Sequence, residues 1–524
     1  MKKLIALILA MTLVCGLFTG CAQEEEAYVP TGGALVMEGE EPDDFLEEEE
    51  VDQEFSLAYY PERSLNPIIG YNQSNRVLFS LMYQALFSVD INNNPTPILC
   101  AEYQVSPSNM TWTFYVEETA CFSDGSPLTA ADVVATYAAA RESDYYKGRF
   151  TYIDSVSLSS DGGVTFALTT PYQNLPLILD IPIVKAGTEG DDVPIGSGPY
   201  VYADGIAGTI LKRNLNWWVK QEIHVNAATI TLVGVSDDAA ARDEFQFGDV
   251  AVVCANPMSD TYADFRSDFE LWNVDSGVFL YLGCNVLYSD FFEDGFLRTV
   301  LTYAIDREGI NRNFYRNHGW PATLPASPLS PYYSESLAAN YAYDPMKFID
   351  QVSNWHIPRD KDNKQKTLRL LVNSDDSARL RAARAIAENL TDFGIPTETL
   401  EYASVTYQAV LAAGNYDIYL GQTRLSANYD LSEFFRLWGN LSWGGIPNEN
   451  ILNLCKECLA DSGNYYNLHQ LLAEDGRIVP ILFGSYAMYA TRGMFDGFAP
   501  SRDNAFFYSL GKTMAGCKID TVYN

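Results

Sequence analysis

The sequence predicts a mixed α/β protein of two or more lobes, and three observations carry that expectation. The chain has 524 residues, more than one ordinary core requires. Hydrophobic residues make up 47% and aromatics 13%, which excludes global disorder. Strand-like alternation and helix-like stripes interleave through the body, and between Leu368 and Glu401 they fall in the order strand, helix, strand of a βαβ unit. Charge removes one functional class at once. Against 68 Asp and Glu stand 34 Lys and Arg, a net charge of −34, so no basic surface for a nucleic-acid backbone is expected.

At the start, Met1-Lys2-Lys3 supplies a positive end and Leu4 to Leu13 an apolar stretch of export-signal rather than membrane-span length. No internal run approaches the length of a span, so a channel or permease is not expected. Leu17-Phe18-Thr19-Gly20-Cys21 resembles a lipobox, which marks residues 1–20 as signal peptide and Cys21 as the lipidated first residue of the mature chain. More than one acyl tail on that residue gives stable anchoring at the outer face of the cell membrane. Residues 21–54 follow as a solvated tether: Glu24 to Glu54 holds fourteen acids and no base, and spans about 30 Å as a random chain.

In the body, Trp112, Phe114 and Val116 alternate on one strand face, and Asp124-Gly125 with Pro127 marks a turn. Thr129 and Asp132 form a capping box that opens a helix, with Val133, Val134, Tyr137 and Ala138 as its apolar side. Leu297, Val300, Leu301, Ala304 and Ile305 predict a second amphipathic helix. Leu368 to Val372 reads as a strand, followed by a helix burying Leu380, Ala383, Ala387 and Leu390 and stopped by Gly394. Pro396 to Glu401 and Asn415 to Gly421 read as the next strands of the same sheet, whose ligand-facing edge lies at the strand C-terminal ends.

Enzyme motifs fail on inspection. Gly511-Lys512-Thr513 lacks the glycine of a phosphate loop, because Phe506 stands there, and no G-x-S-x-G elbow occurs. His224, His318, His356 and His469 lack metalloprotease spacing. Asp90 to Asn94 mimics a calcium loop, but Pro95 replaces its glycine, so it reads as a turn. Cys455 and Cys458 read as thiols on a helix, with a redox pair as the alternative. Neither a catalytic residue, a resident metal nor a cofactor is expected.

Several segments together resemble family 5 extracellular solute-binding proteins, the peptide and nickel receptors of ABC importers. They are Leu65-Asn66-Pro67, Pro97 to Ala101, Thr111 to Phe114, Phe122 to Val134, Gly196 to Tyr200, Asn216 to Trp218, Phe247 to Asp249, Arg298 to Arg307, Tyr343 to Pro345 and Tyr416-Asp417. The resemblance implies a bilobed periplasmic-binding-protein-like fold of type II. Lobe I, with an extra subdomain, takes 55–274 plus 481–524, lobe II takes 275–480, and the chain crosses near Asp275 and Pro480. It also implies a monomeric receptor that closes on an oligopeptide or similar small solute and hands it to ABC transporter permease subunits.

In the oligopeptide members an aspartate after the Tyr-Asp strand pairs with the peptide ammonium. Here Asn428 stands in its place, so either Asp430 takes the role or the ligand lacks a free amino end. Arg424 is a candidate for a ligand carboxylate, or for a salt bridge within lobe II. Tyr60, Phe279 and Tyr281 are candidate cleft aromatics, with core packing as their alternative, and Trp443, amid Gly444 and Gly445, is a loop aromatic and a cleft candidate. A metal-chelate or haem receptor, and a signalling or interaction lipoprotein of the same fold, are the competing functions.

Overall fold

The computed structural model describes residues 55–72, 74–206, 208–219, 227–259, 262–266, 268–493 and 500–506. The export signal, Cys21 and the acidic tether lie outside the described residues. Its spine is a pair of long antiparallel strands, Phe269–Cys284 and Ile478–Thr491. Both belong to an eleven-stranded sheet.

Their register breaks between Asp275 and Phe279, and Gly277 takes φ +71° there, a conformation that suits glycine. On one side of the break, Val274, Tyr486, Met488 and Ala490 pack with Leu57, Ile230 and Val252. On the other, Leu280, Leu282, Val479, Ile481 and Leu482 pack with Leu297, Leu370 and Leu420. Two lobes with separate cores therefore share one sheet. Ile481 and Leu482 pack with the second of these cores, and Phe483 packs with Phe279 and Tyr281.

Lobe I carries an extra four-stranded antiparallel sheet, in the order Cys100–Val105, Thr111–Val116, Val164–Leu168, Ile153–Leu158. Trp112 and Phe114 are buried in it, and Phe114 meets Phe166 edge-on at 5.4 Å. The helix Ala130–Glu142 covers this sheet and starts at the capping box, where Asp132 Oδ2 accepts from the Thr129 amide at 2.8 Å. Its buried stripe is Val133, Thr136, Tyr137 and Ala140. Ala138, expected inside, is exposed, because the stripe follows i, i+3, i+4, i+7 from Val133.

In lobe II the expected βαβ unit forms as Leu368–Asn373, Ser377–Asp392 and Thr397–Tyr402, with the two strands parallel. Ile418–Arg424 pairs parallel to the first of them and antiparallel to the spine. The helix expected through Leu297 to Ile305 divides into an α turn, Phe296–Val300, and a 3₁₀ turn, Leu301–Ala304. All five apolar positions are nonetheless buried. Arg307 is buried and donates to the carbonyls of Ala322, Pro480, Thr302 and Ile305. That one side chain supplies carbonyl partners that water cannot reach.

Candidate functional site at the interlobe seam

The strand Ile418–Arg424 ends beside the hinge, since Arg424 pairs with Val278. Its C-terminal end is the edge at which a parallel sheet presents ligand contacts, and the loop Leu425 to Asp430 leaves from it. Lobe I meets that loop with Asn93, Tyr172 and Leu177, and Arg502 reaches it from the C-terminal side. The lobes are shut.

Arg424 donates from Nε to the Ser276 carbonyl at 2.8 Å and from Nη2 to Asp503 Oδ1 at 2.6 Å. Its guanidinium also lies 5.0 Å from the centre of the Tyr145 ring. Arg149 pairs with Asp180 and reaches to 4.0 Å from Asp503 Oδ2. Burial alone pushes the Asp503 carboxyl up, but Arg424, Arg149, Arg502 and Arg76 together hold it well below the usual carboxylate range. Arg502 donates to the Leu425 carbonyl at 2.5 Å and covers the Tyr429 ring.

Asn428 is buried, and its side-chain amide donates to the Tyr172 hydroxyl of lobe I. Its Oδ1 accepts from the Asp430 amide at 3.3 Å, and its carbonyl accepts from the Tyr465 hydroxyl. Asp430 Oδ1 accepts from the Ser432 amide at 2.9 Å and the Ser432 hydroxyl at 2.6 Å. Desolvation pushes its carboxyl up to about 6, against those Ser432 bonds.

Further bonds cross the seam: Asn93 to the Ala427 carbonyl at 2.9 Å, Thr151 to Glu433 at 2.9 Å and Asn174 to the Tyr332 hydroxyl at 3.3 Å. A cavity of about 120 Å³ remains at the hinge side, bordered by Asn93, Asn273, Asp275, Ser330, Tyr429 and Arg502. Among the described residues, no three His, Cys, Asp or Glu side chains converge as a metal site.

The model of the bacterial extracellular solute-binding proteins, family 5 (middle region), matches residues 94–445. This chain belongs to that family. The oligopeptide-binding protein AppA of Bacillus subtilis is 24% identical over 448 residues, covering 78% of this chain and 82% of AppA. The solved structure of that AppA with a nonapeptide superposes with a TM-score of 0.63 at 21% identity, over 87% of this chain and 97% of the other. NikA of Brucella suis in complex with Fe(III)-EDTA superposes with a TM-score of 0.69 at 18% identity, over 87% and 99%. The bilobed α/β fold expected of a family 5 protein is the fold observed.

Of the residues singled out in sequence, the seam of this family 5 protein gathers Arg424, Asn428 and Asp430. Arg424 forms its ion pair with Asp503 of the C-terminal segment. Tyr60 lies in the lobe I core, its hydroxyl donating to Asp238 at 2.6 Å. Phe279 and Tyr281 are stacked at 5.2 Å inside the lobe II core.

Trp443 packs on that core from the opposite end of the sheet. Its neighbour Gly444 leans on Asn285, which follows Cys284, and Cys284 pairs with Ile418 rather than Arg424. Six residues of strand put roughly 20 Å between the two ends. Cys455 and Cys458 are buried free thiols on the helix Glu449–Ala460. Sequence reasoning missed Arg149, Tyr172, Asp180, Arg502 and Asp503, none of which sits in a motif, and took Asn93 only as part of a turn. Their one signal is the scarcity of bases, which makes Arg149 and Arg502 beside acids unusual in this chain.

Proposed function

We propose that this chain is the lipid-anchored solute receptor of an ABC importer, closing its two lobes on an oligopeptide or similar elongated solute. Cys21 holds it at the outer face of the membrane, residues 21–54 act as its tether, and it works as a monomer with the permease subunits. The observation that carries the reading is the seam itself. Buried polar side chains from both lobes meet there across a break in the two connecting strands, the arrangement a hinged receptor needs.

Arg424, Asn428 and Asp430 are the proposed seam contacts. Tyr60, Phe279, Tyr281 and Trp443 serve the cores. Because Asn428 is neutral and spent on Tyr172, a ligand ammonium would rely on Asp430.

Native mass spectrometry of the gently purified protein tests the reading. A retained peptide supports it, and a retained chelate moves the ligand to the metal-chelate class. An empty protein that binds no peptide library but does bind a membrane sensor replaces the receptor with an interaction lipoprotein.

A further inference from the structure

A second contact joins the lobes, through the loop Tyr315 to Gly319. Lobe II holds the loop: Ile310 of the preceding helix, Arg307–Phe314, packs with Tyr315 in the core, and the Asn311 side chain exchanges two bonds with the Gly319 backbone, at 2.9 and 3.0 Å. Arg316 and Asn317 take φ +55° and +60° in succession. Asparagine tolerates that left-handed region, but arginine is strained in it, and such strain persists only where other contacts hold it. Lobe I supplies them. Arg316 Nη1 donates to the Pro257 carbonyl at 2.8 Å, and its guanidinium lies 5.0 Å from the centre of the Tyr262 ring. Tyr262 in turn packs with Val253, Phe265 and Tyr489 in the lobe I core.

His318 extends the contact. Its Nδ1 stands 2.6 Å from Asn273 Oδ1 on the spine and its Nε2 3.5 Å from the Tyr262 hydroxyl, which lies 2.5 Å from the Tyr489 hydroxyl. An amide oxygen only accepts, so Nδ1 carries the proton and Nε2 is left as an acceptor. The hydroxyls then point one way, Tyr489 donating to Tyr262 and Tyr262 turning its proton to His318. A second proton on the ring sets a donor against a donor. The charges that bear on His318 are Arg316 on its own loop and Asp264 on the Tyr262 segment. Burial first and Arg316 second hold its pKa below the usual imidazole range, with Asp264 opposing them. Tyr262 and Tyr489, both pushed up by burial, stay neutral.

We propose that the loop Arg316 to His318 is a pH-sensitive clasp between the lobes, shut while His318 is neutral and released when its ring takes a proton. A ring that binds protons less readily in the shut form draws the protein toward the open form as pH falls below about 6.5. The inference goes beyond the receptor reading, since it concerns the balance between open and shut whatever the solute.

The test follows the four histidines of the full chain by NMR of labelled imidazoles, alongside small-angle scattering, from about pH 7.5 to about pH 5. The resonance missing from His318→Gln identifies the ring. It should titrate below about 6.5, and the radius of gyration should rise over the same interval in the parent and not in His318→Gln. Arg316→Gln removes a charge that opposes protonation, so it should move the titration to higher pH, which a purely structural role does not do. If His318→Gln does not fold, that shift decides, and an unmoved titration overturns the clasp.

Asp430, pushed up to about 6, titrates in the same interval. A rise in radius that survives in His318→Gln therefore belongs to another group and overturns the proposal. So does a radius that stays constant while His318 titrates. Neither result touches the receptor reading, which the retained solute decides.

Discussion

Arg424 and Asp503 are 79 residues apart in the chain and 2.6 Å apart in space, with 15% and 17% of their side chains exposed. A pair so enclosed contributes little net stability when intact, but removing one member strands the other. Arg424→Met is therefore expected to lower unfolding stability by about 3 kcal/mol or more. The double variant with Asp503→Asn should lose less than the two single variants added, which urea melts in a double-mutant cycle would show. Strict additivity would mean that the two groups do not interact.

Asp430 works in the other direction, its carboxyl pushed up to about 6 by burial. Such a carboxyl holds its proton in the folded state at a pH where the unfolded chain has released it. Its contribution is complete below the ordinary carboxylate range and fades as pH rises through its folded value. Asp430→Asn should thus gain Tm relative to the parent between about pH 4 and about pH 6. A difference that stays flat across that window would contradict the shift.

At the scale of elements, the hinge depends on Gly277. Its φ is +71°, and an added Cβ would lie 1.4 Å from Arg502 Nη2. Gly277→Ala adds left-handed strain of about 1–2 kcal/mol and evicts Arg502 from the Leu425 carbonyl, so ligand affinity and stability should fall together. Thr129→Ala provides the contrast. It removes half of a capping box in the subdomain, so stability should drop by about 1 kcal/mol with ligand affinity untouched. A Thr129→Ala variant with altered affinity would tie the subdomain to the seam.

Over the whole molecule, closure rests on a limited set of bonds between lobes and on Leu459 of lobe II, which packs into the lobe I core and accepts from the Gln173 amide at 2.7 Å. Asn93, Thr151, Asn174 and the Tyr172 to Asn428 bond reach across, with the small apolar cluster of Val89, Leu177 and Ala427 beside them. Contacts this sparse allow opening without unfolding either lobe. Asp503, held ionised by four guanidinium groups, ties the seam together. Its contribution is present above the ordinary carboxylate range and is lost as pH falls through its lower folded value. Small-angle scattering should then show the radius of gyration rising in strong acid before the lobes melt, and Asp503→Asn should show that expansion at neutral pH. An unchanged radius in both cases would place the latch elsewhere.

Local pattern was enough to place many elements. Thr129 and Asp132 start their helix because capping is a contact three residues long, and Leu368 to Tyr402 form βαβ because their periodicities of two and 3.6 are written in adjacent residues. The family was legible for the same reason, since its motifs are short turns and caps. The site was not. Arg424, Asn428 and Asp430 were reachable because they follow a recognisable strand, whereas Arg149, Arg502 and Asp503 carry no local signal and acquire meaning only through one another. Phe279 and Tyr281 show the converse: an aromatic after a hinge crossing reads alike in sequence whether it faces a cleft or a core, and only burial decides. Composition and short-range pattern determined the lobes and their family. Tertiary structure decided which charges meet, because electrostatic partners are chosen by distance in space, to which sequence separation is blind.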